Sequence, residues 1–267
     1  MNAEIFNERS DYKNPSGVVY SQAPASTPVI SIIIPTLREE EFLERTLQNL
    51  QGLALPHEII ITDGGSTDET LDIARRYTDE IVVWDRPKRQ TFGEAKNAGA
   101  ALADGEFLVF IDADVLIPEP ETFFEEALAE FNKNKELVAL TVPLKPLAEN
   151  RSWIDAFFCI PLNWFYIVSN NVFRSGNSSG EFQMIEADVF RETGGFSEHL
   201  VAGEDNEMFR RLAALGRTLS SQKLYVRHSL RRVHKLGWLR VYGIWIKNGL
   251  SVAFRGKAAY KEWLVVR

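Results

Sequence analysis

Asp112-Ala113-Asp114 stands directly behind the apolar run Phe107 to Ile111. Two carboxylates in one short turn offer hard oxygen ligands to Mg²⁺ or Mn²⁺ and leave positions for diphosphate oxygens and water. An isolated Asp-x-Asp triplet is usually a solvated turn. Its place after a buried strand gives it weight, because open parallel sheets gather chemistry at the carboxyl ends of strands. A second run, Thr62-Asp63-Gly64-Gly65-Ser66-Thr67-Asp68, also follows an apolar segment. Its paired glycines, Gly65 among them, let the backbone turn tightly beside a ligand, and Asp63 can accept hydrogen bonds from a base or ribose. Asp68 suits the N-cap of the next helix. Glu204-Asp205 precedes Met208, Phe209, Leu212 and Leu215 at helical spacing. That stripe reads as core packing that would hold the pair at a helix start facing a cleft; the plainer alternative is that both merely complement the helix dipole. His228 brings an imidazole, a good borderline ligand for Mn²⁺, although a lone histidine is more often structural. Arg231 and Arg232 behind it can clamp a diphosphate or stand exposed.

The elements that must position these groups follow from the apolar pattern. Val29 to Ile34 reads as a buried strand stopped by Pro35, and Glu40 to Leu50 as a helix with Phe42, Leu43, Thr46, Leu47 and Leu50 on one face. Glu58 to Thr62 and Ile81 to Trp84 continue as strands with a helix, Glu69 to Tyr77, between them. A helix over Lys96 to Ala103 then leads to the strand Phe107 to Ile111. Glu121 to Asn132 reads as a helix and Val138 to Val142 as a strand. Strand and helix in alternation imply a parallel sheet with helices packed across it. Beyond Pro146 the alternation fades, Trp153 to Phe173 is crowded with aromatic residues, and Gly176 to Gly180 reads as a flexible loop. Aromatic faces suit sugar rings or lipid chains, yet such a stripe is more often core. Lys223 to Arg227 reads as a strand ending at His228.

With 267 residues, 45% of them hydrophobic, the chain can bury one large core. Its formal net charge, 30 minus 37 or −7, argues against nucleic acid as a partner. The charge is unevenly spread: from Met208 to Lys261 there are 13 Lys or Arg and no Asp or Glu. That stretch suits a diphosphate or anionic lipid, or is a basic solvated face. Trp238 to Phe254 mixes aromatic and basic residues as a helix lying on an anionic membrane would, so contact with a membrane surface is an expectation. Cys159 is the only cysteine, so no intramolecular disulfide can form. Met1 to Ser26 lacks the apolar core of a secretory signal, and no apolar run is long enough to span a bilayer. A cytoplasmic enzyme, soluble or at the inner face of the membrane, is expected.

Taken in order, Ile32-Ile33-Ile34-Pro35-Thr36, the Thr62 to Asp68 run, Gly93-Glu94-Ala95-Lys96-Asn97-Ala98-Gly99, Asp112-Ala113-Asp114, Gly194-Gly195-Phe196 and Gly203-Glu204-Asp205 resemble the family-two glycosyltransferases of the GT-A fold. The ordered set, spanning roughly residues 28–234, is far more specific than any member of it. The resemblance implies an α/β fold whose mostly parallel central sheet is flanked by helices, with an acceptor-side C-terminal portion. It divides the chain into a flexible tail over 1–27, a catalytic domain over 28–234 and a basic-aromatic helical segment over 235–267. Within the catalytic domain, 28–145 would hold the nucleotide-sugar and 146–234 the acceptor. The implied reaction moves a sugar from a UDP- or GDP-sugar to a hydroxyl of a glycan, lipid or small molecule, with Mn²⁺ or Mg²⁺ as cofactor and inversion at the sugar.

Pro35, Thr36 and Glu39 would then border the nucleotide, Asp63 would contact the base, and Lys96 would lie near the diphosphate, with Gly93 and Gly99 permitting close approach. Gly65, Asp112, Ala113 and Arg231 complete the donor side. Asp114, Asp112 and His228 would hold the metal, and Asp205 would act as general base with Glu204 as the fallback. Many relatives carry consecutive aspartates where this chain has Asp63-Gly64, which leaves the base open. A sugar-1-phosphate nucleotidyltransferase shares the nucleotide-plus-metal logic, but its glycine-rich loop is missing from Pro35 to Glu40. A non-catalytic nucleotide-sugar-binding module would not require Asp112, Asp114, Glu204 and Asp205 together.

Overall fold

The computed structural model of the chain describes residues 17–20, 28–150 and 152–260. At its centre β2 (Ile30–Thr36) pairs in parallel with β3 (His57–Asp63) on one side and β5 (Phe107–Ile111) on the other; β4 (Ile81–Trp84) extends the sheet beyond β3. These strands read as unbroken apolar runs because both faces are covered. Ile32 and Ile34 point with Val109 and Ile111 into one core, against α1 (Leu43–Leu50) and α2 (Thr70–Ala74); Ile33 points with Leu108 and Phe110 into the other, beside α3 (Phe92–Leu102). A Cβ on Gly99 of α3 would lie 2.4 Å from Ile33 Cγ2, so this glycine serves helix-to-sheet approach, not the ligand contact expected of it. Gly93 likewise faces backbone, its Cβ direction meeting Ser197 O at 3.1 Å.

Strand order reverses at β2, since the chain runs from β2 outward through β3 and β4 and returns to place β5 on the opposite side. Such a switch point opens a crevice at the carboxyl ends of the two strands. The turn after β5 carries Asp112 to Asp114 into that crevice.

The other half of the sheet is where antiparallel pairing enters. Helix α4 (Pro120–Lys133) leads to β7 (Leu137–Thr141), and β9 (Phe182–Glu186) runs antiparallel between β5 and β7; β10 (Arg217–Ser220) closes the edge parallel to β7. A small second sheet joins β6 (Val115–Leu116), β11 (Val226–His228) and β8 (Leu144–Pro146). Long helix α5 (Trp153–Asn171), short α6 (Ala187–Glu192), α7 (Glu204–Leu215), α8 (Arg231–Leu236) and α9 (Trp238–Arg255) complete the chain. Met208, Phe209 and Leu212 of α7 are buried as expected, while Leu215 at the helix end is exposed.

Several boundaries differ from the sequence reading. Pro35 does not stop β2: the β5 ladder ends at Ile33, so Pro35 needs a partner only on the β3 side, where it stands opposite Thr62. Helix α1 starts at Leu43, because residues 39–41 are drawn into the loop, where Glu39 N donates to Thr70 Oγ1 and Glu40 Oε2 accepts from Glu69 N. Residues 17–20 of the expected tail form β1 (Gly17–Tyr20), antiparallel to β4; the rest of 1–27 lies outside the described residues. A boundary after residue 234 would cut α8, and Trp238 and Val241 of α9 belong to the same core as the sheet. Among the described residues no helix is long and apolar enough to cross a membrane.

Candidate active site

The first loop at the switch point is organised by Asp63. Its Oδ1 accepts from Gly65 N at 2.9 Å and Ser66 N at 2.7 Å, and its Oδ2 from Thr36 Oγ1 at 3.0 Å and Ser66 Oγ at 2.5 Å. The carboxylate is fully buried and already accepts four hydrogen bonds, and neither Asp63 nor Gly65 is on the cavity wall; Gly64 is. Asp63, expected to contact a base, ties the two strand ends together and shapes the turn. Gly65, at φ +89°, supplies the left-handed backbone that the turn needs. The N-cap expected at Asp68 falls instead on Glu69, and Asp68 binds the start of α2 from one residue earlier, its Oδ1 accepting from Thr70 N at 3.2 Å and Thr70 Oγ1 at 2.6 Å.

The acidic triplet gains its neighbours through strand pairing. Strand β11 runs antiparallel to β6 with His228 opposite Val115, which sets the imidazole beside the preceding Asp114: His228 Nε2 lies 3.1 Å from Asp114 Oδ1. Leu230, in the left-handed region at φ 54°, turns the chain so that Ser229 Oγ donates to Asp114 and Arg231 Nε reaches its Oδ2 at 3.2 Å. Arg231 in turn holds Glu39, its Nη2 donating to Oε1 at 2.7 Å and its Nη1 forming an ion pair with Oε2 at 2.7 Å. Burial alone would push Asp114 up, but His228, Arg231 and Ser229 outweigh it and hold its carboxyl below the usual range. Burial likewise works against charge on His228, and Asp114 overrides it to raise the imidazole to about 9.

Asp112 is in the opposite state. Strand β9 pairs with β5 so that Phe182 faces Ile111, and the residues just beyond, Glu181 and Asp112, meet at the ladder's end. Burial, then Glu181, then Asp114 push the Asp112 carboxyl up to about 7. Glu181 Oε2 is buried without a hydrogen-bond partner among the described residues. Ligand atoms of Asp112, Asp114 and His228 all lie within 4.8 Å of one another. Two hard carboxylates and an imidazole form a donor set that fits Mn²⁺ or Mg²⁺.

Across the cavity, α7 begins with Glu204 and Asp205. Lys96 of α3, only 2% exposed, makes an ion pair with Asp205 Oδ1 and lies 3.8 Å from Glu204 Oε1. It is neither the exposed helical lysine of the plainer reading nor free to face a diphosphate alone, because its ammonium is directed at the acidic pair. Burial opposes its charge, and Asp205, Glu204 and Asp112 together outweigh that and raise it above the ordinary range. Gln183 Nε2 donates to the same Asp205 oxygen at 3.1 Å. Burial, followed by Asp205, pushes Glu204 up to about 8. A Cβ on Gly180 would stand 2.8 Å from Asp205 Oδ2, so the absence of a side chain there leaves room for the carboxylate.

Both acidic sets line one cavity of about 680 Å³, whose wall also includes Pro35, Thr36, Glu39, Lys96, Ala113, His228 and Arg231. Glu181, Gln183 and Gly180 escaped the sequence reading. Their only linear signal was the Gly176 to Gly180 loop leading into an apolar run. The aromatic segment also departs from the core expected of it: Trp153, Phe157, Trp164, Phe165 and Phe173 are each more than half exposed.

The family described as Glycosyl transferase family 2 matches residues 31–193. Among curated proteins, Validoxylamine A glucosyltransferase of Streptomyces hygroscopicus subsp. jinggangensis (strain 5008) is 37% identical over 100 residues, 35% of this chain and 24% of that protein. Succinoglycan biosynthesis protein ExoA of Rhizobium meliloti (strain 1021) is 27% identical over 205 residues, 69% of this chain and 58% of that protein. The chain thus spans about a quarter to somewhat over half of the length of these relatives. Among solved structures, the mannosyltransferase PcManGT from Pyrobaculum calidifontis in complex with GDP-Man and Mn²⁺ superposes with a TM-score of 0.64 at 18% identity, covering 86% of this chain and 65% of that one. That likeness is one of fold, a mostly parallel GT-A sheet between layers of helices.

Proposed function

The chain belongs to glycosyl transferase family 2, and from that premise we propose that it moves a hexosyl group from a UDP- or GDP-sugar to an acceptor hydroxyl, with inversion at the anomeric carbon. The observation that carries the reading is the meeting of two carboxylate sets, Asp112 with Asp114 and Glu204 with Asp205, on the wall of one cavity. They are about ninety residues apart along the chain, and a shared cleft is what a displacement with a leaving group on one side and a base on the other requires.

In this reading residues 28–145 hold the donor and 146–234 most of the acceptor. Pro35, Thr36 and Glu39 border the nucleotide, and the loop at Gly64 meets the base with its backbone, since the Asp63 carboxylate is fully engaged. Asp112, Asp114 and His228 would hold Mn²⁺ or Mg²⁺, which when bound offsets the charge that grows on a departing diphosphate. Arg231, locked by Glu39, presents a guanidinium to the same side. Asp205 takes the proton of the acceptor hydroxyl as its oxygen attacks. Lys96 and Gln183 orient that carboxylate, and Glu204, pushed up to about 8, is the carboxyl of the pair that favours its proton at neutral pH.

A thermal-shift panel of UDP- and GDP-sugars with and without Mn²⁺ tests this. One nucleotide class should stabilise the protein only when metal is present, by about 2.7 kcal/mol at a hundredfold excess over Kd. Absence of stabilisation by every nucleotide sugar in Mn²⁺ would overturn the reading.

A further inference from the structure

The exposed surface of α5 is unusual for a chain in which 25% of residues are charged. Trp153, Phe157, Ile160 and Trp164 are 79%, 65%, 58% and 61% exposed and recur at steps of four, three and four, a single stripe about 16 Å long. The helix carries one acidic residue and no basic one, and that residue, Asp155, is buried under Trp238 and His234. Helix α9 repeats the pattern: Leu239, Ile246, Leu250 and Phe254 are all more than half exposed, at steps of seven, four and four. The two helices are fixed to each other. Phe158 stacks on Trp238 at 5.2 Å, and Tyr242 donates to Phe158 O at 2.6 Å. Phe165 of α5 and Ile246 of α9, both over half exposed, also line the cavity that holds Asp205.

Charge decides what covers this surface. Exposed Arg240, Lys247, Arg255 and Lys257 interleave with or follow the apolar residues of α9, and no acidic residue occurs anywhere from Met208 to Lys261. A second copy of the chain docking face to face would bring like charge against like. An anionic bilayer supplies both an apolar layer for the indole and phenyl rings and negative headgroups for the basic side chains. We propose that the joint α5–α9 face docks on an anionic membrane surface, which sets the acceptor mouth of the cavity at the bilayer.

The test is co-sedimentation of the full chain with vesicles of phosphatidylcholine alone and of equal parts phosphatidylcholine and phosphatidylglycerol, at low and high salt. The protein should bind the phosphatidylglycerol vesicles, more weakly as salt rises. The triple variant Trp153→Ser, Phe157→Ser, Trp164→Ser and the double variant Lys247→Glu, Arg255→Glu should each bind at least about tenfold more weakly. Stabilisation by donor sugar and Mn²⁺, unchanged in both variants, shows that they fold and separates this proposal from the transferase reading. No binding of the unaltered protein at low salt, or undiminished binding by the triple variant, overturns docking. A dimer in size-exclusion chromatography that the triple variant dissolves, without vesicle binding, overturns it in favour of a second copy.

Discussion

The two acidic sets on the cavity wall are built in opposite ways. Asp112, Asp114, Glu181 and His228 come from three elements, the turn after β5, the residue before β9 and the end of β11, and converge only because those strands pair in a particular register. Glu204 and Asp205 are neighbours at one helix start. In the first set the positive partners crowd onto Asp114, leaving Asp112 and Glu181 facing each other. In the second, Lys96 and Gln183 meet at Asp205, and Lys96 stands farther off, 3.8 Å, from the buried Glu204. Each set thus holds one carboxylate with close positive partners, Asp114 or Asp205, and one, Asp112 or Glu204, that burial and a neighbouring carboxylate push up. On the reading proposed above, a divalent cation relieves that in the first set, and a proton relieves it in the second.

Asp114→Ala should have the largest effect, because on the reading proposed above it removes a metal ligand, and it takes from His228 its carboxylate partner while Arg231 keeps Glu39. Transfer should fall on the order of 10³-fold or more, and Mn²⁺-dependent stabilisation by the donor should vanish. Retained metal dependence in that variant would break the contrast. Asp205→Asn should lower kcat about a hundredfold or more while the donor-induced Tm shift survives, since the second set does not hold the nucleotide. Near-normal turnover would remove Asp205 from the role of base.

Gly180→Ala sharpens the second set alone. Its new methyl would displace Asp205 Oδ2 from a 2.8 Å contact, and kcat should drop roughly tenfold, less than the hundredfold that a 1 Å misplacement can cost. KM for the donor and the Tm should stay close to those of the unaltered chain.

The smallest effect is expected at a third acidic group, remote from the cleft. Burial first, and then Glu58, push Glu80 up to about 8. Its folded value exceeds the 4.5 of an unperturbed glutamate. The associated stability is therefore fully present below about 4.5 and is lost as pH rises through about 8. Glu80→Gln should flatten that loss, so its Tm should gain on that of the unaltered chain as pH rises from about 4.5 to about 8 and the gap should level off above that, with transfer unchanged. Parallel Tm curves for the two proteins across that range would show that Glu80 does not titrate as described.

Much of the donor half was legible. Ile81 to Trp84 and Phe107 to Ile111 coincide with β4 and β5, because strands covered on both faces leave unbroken β-branched and aromatic runs bounded by polar turns. The acceptor half was less so. Helical spacing in α5 reveals an apolar stripe but carries no information about what lies against it, so Trp153 and Phe157 suggested core and proved exposed. Strand-end position likewise suggested that Asp63 was available to a ligand, whereas its oxygens accept from Gly65, Ser66 and Thr36.

What the sequence determined by itself is what depends on near neighbours: the parallel strands, the turns behind them, the acidic triplet and the helix that starts at Glu204. Tertiary structure alone decided the pairings across long separations. A one-residue slip of β9 against β5 would turn Glu181 away from Asp112, and a slip of β11 against β6 would carry His228 off Asp114. Register is set by the packing of whole faces, a collective property that no single stretch of residues encodes, and it selects which of the chain's many carboxylates share a cavity.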